Sequence, residues 1–241
     1  MKNRVFLSAE WKNLVILNYE VDPSVLKKYI PPKTELDTYN KKTFVSMVGF
    51  QFNKTLLKNI PIPFHYNFEE INLRFYVRHK SEDEWRRGVV FIKEIVPRAA
   101  IAYLANKLFN ENYISLPTKH LINNEKNGRD TRQIRYMWKF KHQWNYIYVI
   151  PKGEQKPLIE GSIEEFITEH YWGYSIQNDN STMQYQVEHP KWRVWDTAEE
   201  GLNCNIESLY GAEFSKFIKG RPHSSMLAEG SAVKVYEGDK I

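Results

Sequence analysis

The segment FEEINLRFYVRH, Phe68 to His79, sets Asn72, Arg74, Tyr76 and Arg78 at alternate positions, with Ile71, Leu73, Phe75 and Val77 between them. A period of two is that of a β-strand, whose successive side chains point to opposite faces. One face is apolar. The other offers a carboxamide, two guanidiniums and a phenol, with the carboxylates Glu69 and Glu70 at its entrance. In an enclosed space such groups bind or polarise a carbonyl or carboxylate; on an open antiparallel sheet they would meet water. The reading adopted is that Asn72, Arg74 and Tyr76 look into a pocket. Glu70 and Arg74 are separated by about 13 Å of strand rise, too far for a direct bond in a straight strand, so Asn72 is the nearer neighbour of each. A carboxylate in that setting has a raised pKa unless it is paired.

His189 is the second candidate. In VEHPKW it precedes Pro190, which forces an extended backbone at His189. Its imidazole is suited to general acid or base work near neutrality, against the plainer outcome of a ring held by a backbone carbonyl at a strand end. For metals, the seven histidines show no HxH, HxxxH or HExxH spacing, so no metal site is expected. No glycine-rich phosphate loop and no Gly-x-Ser-x-Gly elbow occurs.

The elements that must position these residues alternate along the chain. Trp11 to Tyr19 reads as a strand. Asp22-Pro23 opens a short helix as N-cap and first helical residue. A brief strand is expected at Leu36 to Tyr39 and a longer one at Thr43 to Asn53, where Gly49 suggests a bulge or a close approach. After a loop marked by Pro61 and Pro63, the Phe68 strand and Trp85 to Pro97 form an antiparallel hairpin across Glu82-Asp83-Glu84. Arg98 to Asn110 is a helix with Ile101, Leu104, Ala105, Leu108 and Phe109 on its apolar face. Past a turn at Asn127-Gly128, Thr131 to Lys141 and Trp144 to Ile150 pair as strands. Ser162 and Glu165 form a capping box for a helix to Tyr171. Strands follow at Thr182 to His189, Trp192 to Asp196 and Ser231 to Tyr236, with Phe214 in the same alternating run. The fold class is α+β, mainly antiparallel β, and the chain 1–241 is one domain without repeats or linker.

Composition agrees. With 241 residues, 26% charged and 42% apolar, the chain can bury a core of ordinary size. The aromatic share of 15% suits strands and pockets. The single cysteine, Cys204, rules out an internal disulfide and fits the cytoplasm. No apolar run is long enough for a membrane span, and the N-terminus does not read as a secretory signal. A net charge of +5 attracts anions weakly without establishing nucleic-acid binding. The basic, aromatic run Arg132 to Tyr148 is the one segment that could track a single strand, against a sheet wall with solvated lysines. The sequence leaves open whether copies associate.

Taken together, several segments resemble the DUF2071 or YqjF-like family of the acetoacetate decarboxylase-like superfamily. They are Trp11 with Val21-Asp22-Pro23, Glu70-x-Asn72-x-Arg74-x-Tyr76-Val77, Gly88-Val89-x-Phe91, Phe166-x-x-Glu169-x-Tyr171, Val187-x-His189-Pro190-x-Trp192 and Ala228-Glu229-Gly230-Ser231-x-Val233. The resemblance implies a cone-shaped antiparallel β-barrel with a few peripheral helices and a cavity for a small carboxylate- or carbonyl-bearing molecule. Asn72, Arg74, Tyr76, Tyr113 and Trp192 would contact the ligand, Glu70 and His189 would be the catalytic candidates, and no cofactor is implied. Acetoacetate decarboxylases use a Schiff-base lysine in a Gly-Phe-Pro-Lys-Lys motif, because only a neutral amine attacks a ketone. The corresponding stretch here, Asn110-Glu111-Asn112-Tyr113-Ile114-Ser115, has no lysine. Lys93 and Lys119 are the nearest substitutes, so the chain is read as having lost or replaced decarboxylase chemistry, with a Schiff-base enzyme as the alternative. The family's usual helix arginine is Asn106 here, and of its following Leu-Pro-Tyr only Tyr113 is kept.

Overall fold

The computed structural model describes residues 4–61, 65–82, 84–126 and 130–241; at 101, 104, 105, 124–126, 130 and 131 it describes the backbone alone. The turn expected at Asn127-Gly128, Pro63 and Asp83 lie outside the described residues. The expected helix-face positions Ile101, Leu104 and Ala105 lie outside the described side chains.

The chain opens with β1 (Val5–Val21), α1 (Pro23–Leu26), β2 (Thr34–Leu36), β3 (Thr43–Leu57) and β4 (Ile60–Pro61). The hairpin β5 (Phe68–Lys80) and β6 (Trp85–Val96) leads into α2 (Ala99–Phe109) and β7 (Tyr113–Ser115). Then come β8 (Thr118–Lys126), β9 (Asp130–Phe140), β10 (Gln143–Lys156), α3 (Ile163–Thr168), β11 (Trp172–Ile176), β12 (Thr182–Glu188) and β13 (Val194–Asn203). The end is α4 (Ile206–Tyr210), α5 (Ala212–Ser215), β14 (Ser224–Tyr236) and β15 (Asp239–Lys240).

Seven strands pair in a closed circuit, β1–β3–β5–β6–β11–β12–β14 and back to β1. Every pairing in it is antiparallel except β6 with β11, where Trp172 lies opposite Gly88 and Gly173 opposite Val89. From β14 an arm leaves the circuit through β13, β10, β9 and β8. The arm folds back over the outer face of β1, β3 and β5, which it touches through β8, β9 and β10.

This arrangement makes two cores, and β5 feeds both. Ile71, Leu73, Phe75 and Val77 point outward into a layer shared with Ile134, Tyr136 and Trp138 of β9 and Ile147 and Val149 of β10. Phe68 and Tyr76 point inward to a second cluster with Leu14, Ile16, Val48, Phe50 and Trp192. Both faces of β5 are thus covered. Each large apolar side chain buried this way contributes about 1.5–3 kcal/mol. The double burial also answers the nucleic-acid reading: the rings of Tyr136 and Trp138, which base stacking would need, are fully buried. On the outer side of the arm, Arg135 lies 4.7 and 5.0 Å from the Tyr146 and Tyr148 ring centroids, and Lys119 lies 4.1 Å from that of Trp144.

Local signals act much as their chemistry requires. Asp22 caps α1 by accepting from the Ser24 amide at 2.8 Å, with Pro23 first in the helix. Ser162 Oγ accepts from the Glu165 amide, but Glu165 Oε2 accepts from Gly161 N, because Ser162 N already donates to Ile159 O. Gly49 marks a close approach: a Cβ there would lie 2.9 Å from the Tyr136 ring, and the irregularity in this region sits on β1 between Lys12 and Val15, where Asn13 has φ +53°. Phe214, expected among strands, is buried in α5, and α4, α5, β8 and β11 carry no strong sequence signal of their own. Among the described residues, no helix is long and apolar enough to cross a membrane.

Candidate functional site

Inside the circuit lies a cavity of about 160 Å³, close to the volume that accepts a benzene-sized guest. Glu70, Asn72 and Arg74 line it, as do Tyr113, His189 and Trp192. Tyr76 does not. It is 1% exposed, its hydroxyl bonds Ser46 at 2.5 Å, and its ring lies 4.7 Å from that of His170. Arg78, on the same face, leaves the interior to pair with Glu35 at 2.6 Å and cover the Trp85 ring. Glu69 points the other way, to Thr118 and His120.

The structure adds two carboxylates to Glu70: Glu94 of β6 and Glu111 of the α2–β7 connection. The three are 3%, 1% and 7% exposed, so they share a buried acidic centre. Glu94 is brought inward by a bulge. Leu73 pairs with Lys93 but Arg74 pairs with Phe91, so Ile92 is an extra residue on β6. A bulge of one residue reverses which face the following side chains take. Glu94 therefore stands beside Asn72 on one flank and Tyr113 on the other. Lys93 is turned outward, where its Nζ donates to Leu209 O. Lys119 is held over Trp144, and no lysine lines the cavity among the described residues. The substitutes weighed for a Schiff base are thus both absent from the cavity wall.

Both oxygens of Glu70 are engaged. Asn72 Nδ2 donates to Oε1 at 2.9 Å and the Tyr113 hydroxyl to Oε2 at 3.2 Å. Tyr113 is fixed by Asn106, whose Oδ1 accepts from Tyr113 N at 2.8 Å and whose Nδ2 donates to Tyr113 O at 2.9 Å. The residue that replaces the family's helix arginine is therefore a clamp for Tyr113. Tyr185 donates to Glu111 Oε1 at 2.9 Å. Glu111 and Phe91 also border a second recess, of about 330 Å³, lined by Asn110, Asn112 and Gln177.

Burial raises all three carboxyls. Glu70 is lifted to about 7 by desolvation, against the pull of Asn72, Tyr113 and the Arg74 charge. Glu94 is lifted well above the usual range by desolvation and then by the charges of Glu111 and Glu70. Glu111 is lifted to about 8 by desolvation, partly offset by Tyr185. Like charges this close cannot all ionise, so the cluster holds protons at neutral pH. Around the acidic centre, Arg74 Nε, Asn72 Oδ1 and Glu94 Oε2 are buried without a hydrogen-bond partner among the described residues. Unpaired groups of this kind are costly and call for an explanation.

A second polar group borders the cavity at the end of α3. Asp37 Oδ2 accepts from Arg87 Nε at 2.6 Å and lies 3.1 Å from His170 Nε2. Burial depresses His170 to about 4, so the ring is neutral at pH 7. Burial alone would push Asp37 up, but its bonds to His170 and Arg87 outweigh that, and with the ring neutral it is Arg87 that keeps the carboxyl ionised. His170 Nδ1 has no partner. His189 is instead held: its ring stacks on Trp192 at 4.2 Å, and its Nδ1 lies 3.0 Å from Pro190 O. Burial lowers its pKa. The remaining wall is aromatic, with Trp11 edge-on to Phe50 and Phe52, and Phe52 stacked on Phe68 at 4.7 Å. Among the described residues no group of His, Cys, Asp or Glu has the arrangement to hold a metal ion.

Gly173 secures the Tyr185 bond. A Cβ there would lie 2.1 Å from Tyr185 Cζ. Gly173→Ala is expected to cost about 1–3 kcal/mol by overpacking, and markedly less in a Tyr185→Leu background. A double-mutant cycle by urea unfolding measures this; an additive cycle would show that the ring is not what the glycine accommodates.

Sequence reasoning missed Glu94, Glu111, Tyr185 and His170. The one available signal was a lone carboxylate, Glu94, in the apolar run of β6, but only the bulge decides between it and Lys93.

The fold is acetoacetate decarboxylase-like, and a carboxylate cluster occupies the polar centre of its cavity. The acetoacetate decarboxylase of Legionella pneumophila matches with a TM-score of 0.71 at 14% identity, over 98% of this chain and 87% of that one. An acetoacetate decarboxylase-like enzyme from Sphingomonas wittichii matches at 0.67 and 9% identity, over 98% and 92%. The enduracididine biosynthesis enzyme MppR complexed with pyruvate matches at 0.66 and 10%, over 97% and 90%. At these identities the likeness is one of fold. The chain itself belongs to the DUF2071 family of uncharacterized conserved proteins, whose family model matches residues 8–232. It is also similar to the uncharacterized protein YqjF of Bacillus subtilis, 25% identical over 196 residues, which are 81% of this chain and 77% of that one.

Proposed function

We propose that the strand circuit is a cone-shaped barrel, formed by the chain 1–241 as one domain, and that its cavity binds a small molecule bearing a carbonyl or carboxylate. The observation that carries this reading is Arg74: a guanidinium 8% exposed, on the cavity wall, with Nε unpartnered. A guanidinium meets a carboxylate with paired, charge-assisted bonds. Protonated Glu94 is placed to donate to a carbonyl oxygen, and Glu70, titrating near 7, is suited to move a proton on a carbon beside it. The neighbour complexed with pyruvate supports a ligand of this size and class. His189 and Trp192 would form the apolar wall against the ligand. Cytoplasmic action is part of the proposal: the one thiol, Cys204, is pushed up to about 12 by burial, which makes it inert.

The test is thermal unfolding with pyruvate and other small keto acids. A ligand at a hundred times its Kd should raise Tm by roughly 5–10 °C for a chain this long. Arg74→Gln should remove the shift. A panel that stabilises Arg74→Gln as much as the parent would sink the reading.

A further inference from the structure

We propose that the ligand of this cavity also carries a protonated amine, seated between Glu94 and Glu111, so that the molecule is amino-acid-like, with its carboxylate or carbonyl at Arg74. The proposal rests on the reading of the cavity as a binding site and names the substrate class it takes.

Charge is the first ground. Among the described residues lining the cavity, three carboxylates face one guanidinium and no ammonium. Arg74 compensates a single negative charge, and Glu70 is the carboxylate with an Arg74 interaction. Among the described residues, no cation acts on Glu94 or Glu111. Their hydrogen bonding leaves room for a donor as well: Glu94 Oε2 has no partner although the residue is 1% exposed, and Glu111 accepts from Tyr185 on Oε1. Among the described residues no group has the arrangement to hold a metal ion. An ammonium suits the open carboxyl oxygens. It has three donors to distribute between carboxylate oxygens, and as a compact charge it needs little room.

Placement agrees with this. Glu94 is flanked on the sheet by Asn72 and Tyr113, and Arg74 follows two residues after Asn72 on β5. Anion-binding and cation-binding groups thus share one wall, a short molecule apart. The adjoining wall of Trp11, Phe50 and Phe52, with Phe50 paired to Glu70 across β3 and β5, accepts hydrocarbon and tolerates a cation near its ring faces. A cavity of about 160 Å³ limits the guest to a benzene-sized molecule, which a short amino acid or amino ketone satisfies. Without the ligand, Glu94 and Glu111 hold their protons. Seating an ammonium makes one of them ionise, so binding should release a proton to solvent.

The experiment is isothermal calorimetry on the full chain with four probes: 4-aminobutyrate, butyrate, butylamine and pyruvate. Each is run at pH 7 in Tris and in phosphate, whose ionisation enthalpies differ. The expected result is 4-aminobutyrate binding about tenfold or more tighter than butyrate, with a buffer-dependent enthalpy that reports proton release. Glu111→Gln, which preserves shape, should erase the preference while leaving butyrate binding in place. Butyrate or pyruvate binding as tightly as 4-aminobutyrate, with no proton released, overturns the amine and leaves the carboxylate reading standing. Butylamine binding alone, with no gain from a carboxylate, supports the amine and overturns the Arg74 anchor. No binding by any probe at millimolar concentration overturns both.

Discussion

Stability of the unliganded protein will fall as pH rises through 7 to 8, and Glu111→Gln will flatten that fall. Glu111 is an ordinary carboxyl in the unfolded chain, near 4.5, and is raised to about 8 by burial in the folded one. A folded-state pKa above the unfolded value means that the native protein binds more protons across the window between them. Its contribution is fully present below about 4.5 and is lost as pH climbs through 8. Each tenfold gain in proton affinity on folding is worth about 1.4 kcal/mol, so a lift of this size is large on a scale where total stability is about 5–15 kcal/mol. Glu70 acts in the same direction up to about 7. The contributions do not sum, because ionising one carboxyl raises the others, and Arg74 relieves only part of the load. His170 works oppositely: held neutral down to about 4, it adds stability as pH rises from there to its unfolded value near 6.5. The clean window is therefore pH 6.5 to 8. There, Glu111→Gln should be more stable than the parent by about 2–4 kcal/mol at the alkaline end and nearly equal to it at pH 5. Urea unfolding against pH measures both curves. Parallel curves would mean that Glu111 is not held protonated by its surroundings.

How much of this was legible in the sequence depends on which parity rule governed each residue. The period of two along Phe68 to His79 was sufficient to place Glu70, Asn72 and Arg74 on one face, because β5 keeps its register with β3 without interruption. It overreached at Tyr76 and Arg78, since a face is not a cavity: the interior narrows to packed rings at Tyr76, and β5 runs out to the surface at Arg78. On β6 the same rule would have sent Lys93 inward. Its failure there comes from a bulge that no residue type announces, since Ile92 is an ordinary strand residue. Glu111 lies in an irregular connection, where side-chain direction follows from the left-handed Asn110 that ends α2, at φ 51°, and not from any period. His170 depends on Asp37, 133 positions away, a pairing visible only once the chain has closed. The apolar side of β5 was read correctly as apolar, but that it is covered by β9 and β10 follows from the arm's return, which strand patterns do not encode.

Arg74→Met should be the most damaging single change to the cavity, and its damage should depend on pH. Arg74 is the one permanent cation on the described wall, and its charge reaches three titrating neighbours: it lowers Glu70, His170 and His189. Removing it lets Glu70 keep its proton to higher pH, so at pH 5, where Glu70 is protonated either way, the cost is that of lost packing, about 1 kcal/mol. At pH 8 the parent holds an ionised Glu70 against Arg74, whereas the variant must bury the same charge alone or take up a proton. Taking up that proton at pH 8, one unit above the parent's Glu70 value of about 7, adds up to about 1.4 kcal/mol to the packing loss. The pH dependence thus becomes steeper, the reverse of the effect of Glu111→Gln. Affinity for a carboxylate probe should fall about a hundredfold, since two charge-assisted bonds are lost. Arg74→Lys separates charge from shape: it should keep the His189 titration low, as followed by NMR, while failing to restore affinity, because an ammonium lacks the planar fork. If Arg74→Met loses the same stability at both pH values and His189 titrates unchanged, the guanidinium is not the counter-charge of this cavity, and the carboxylates must be balanced by something other than the protein.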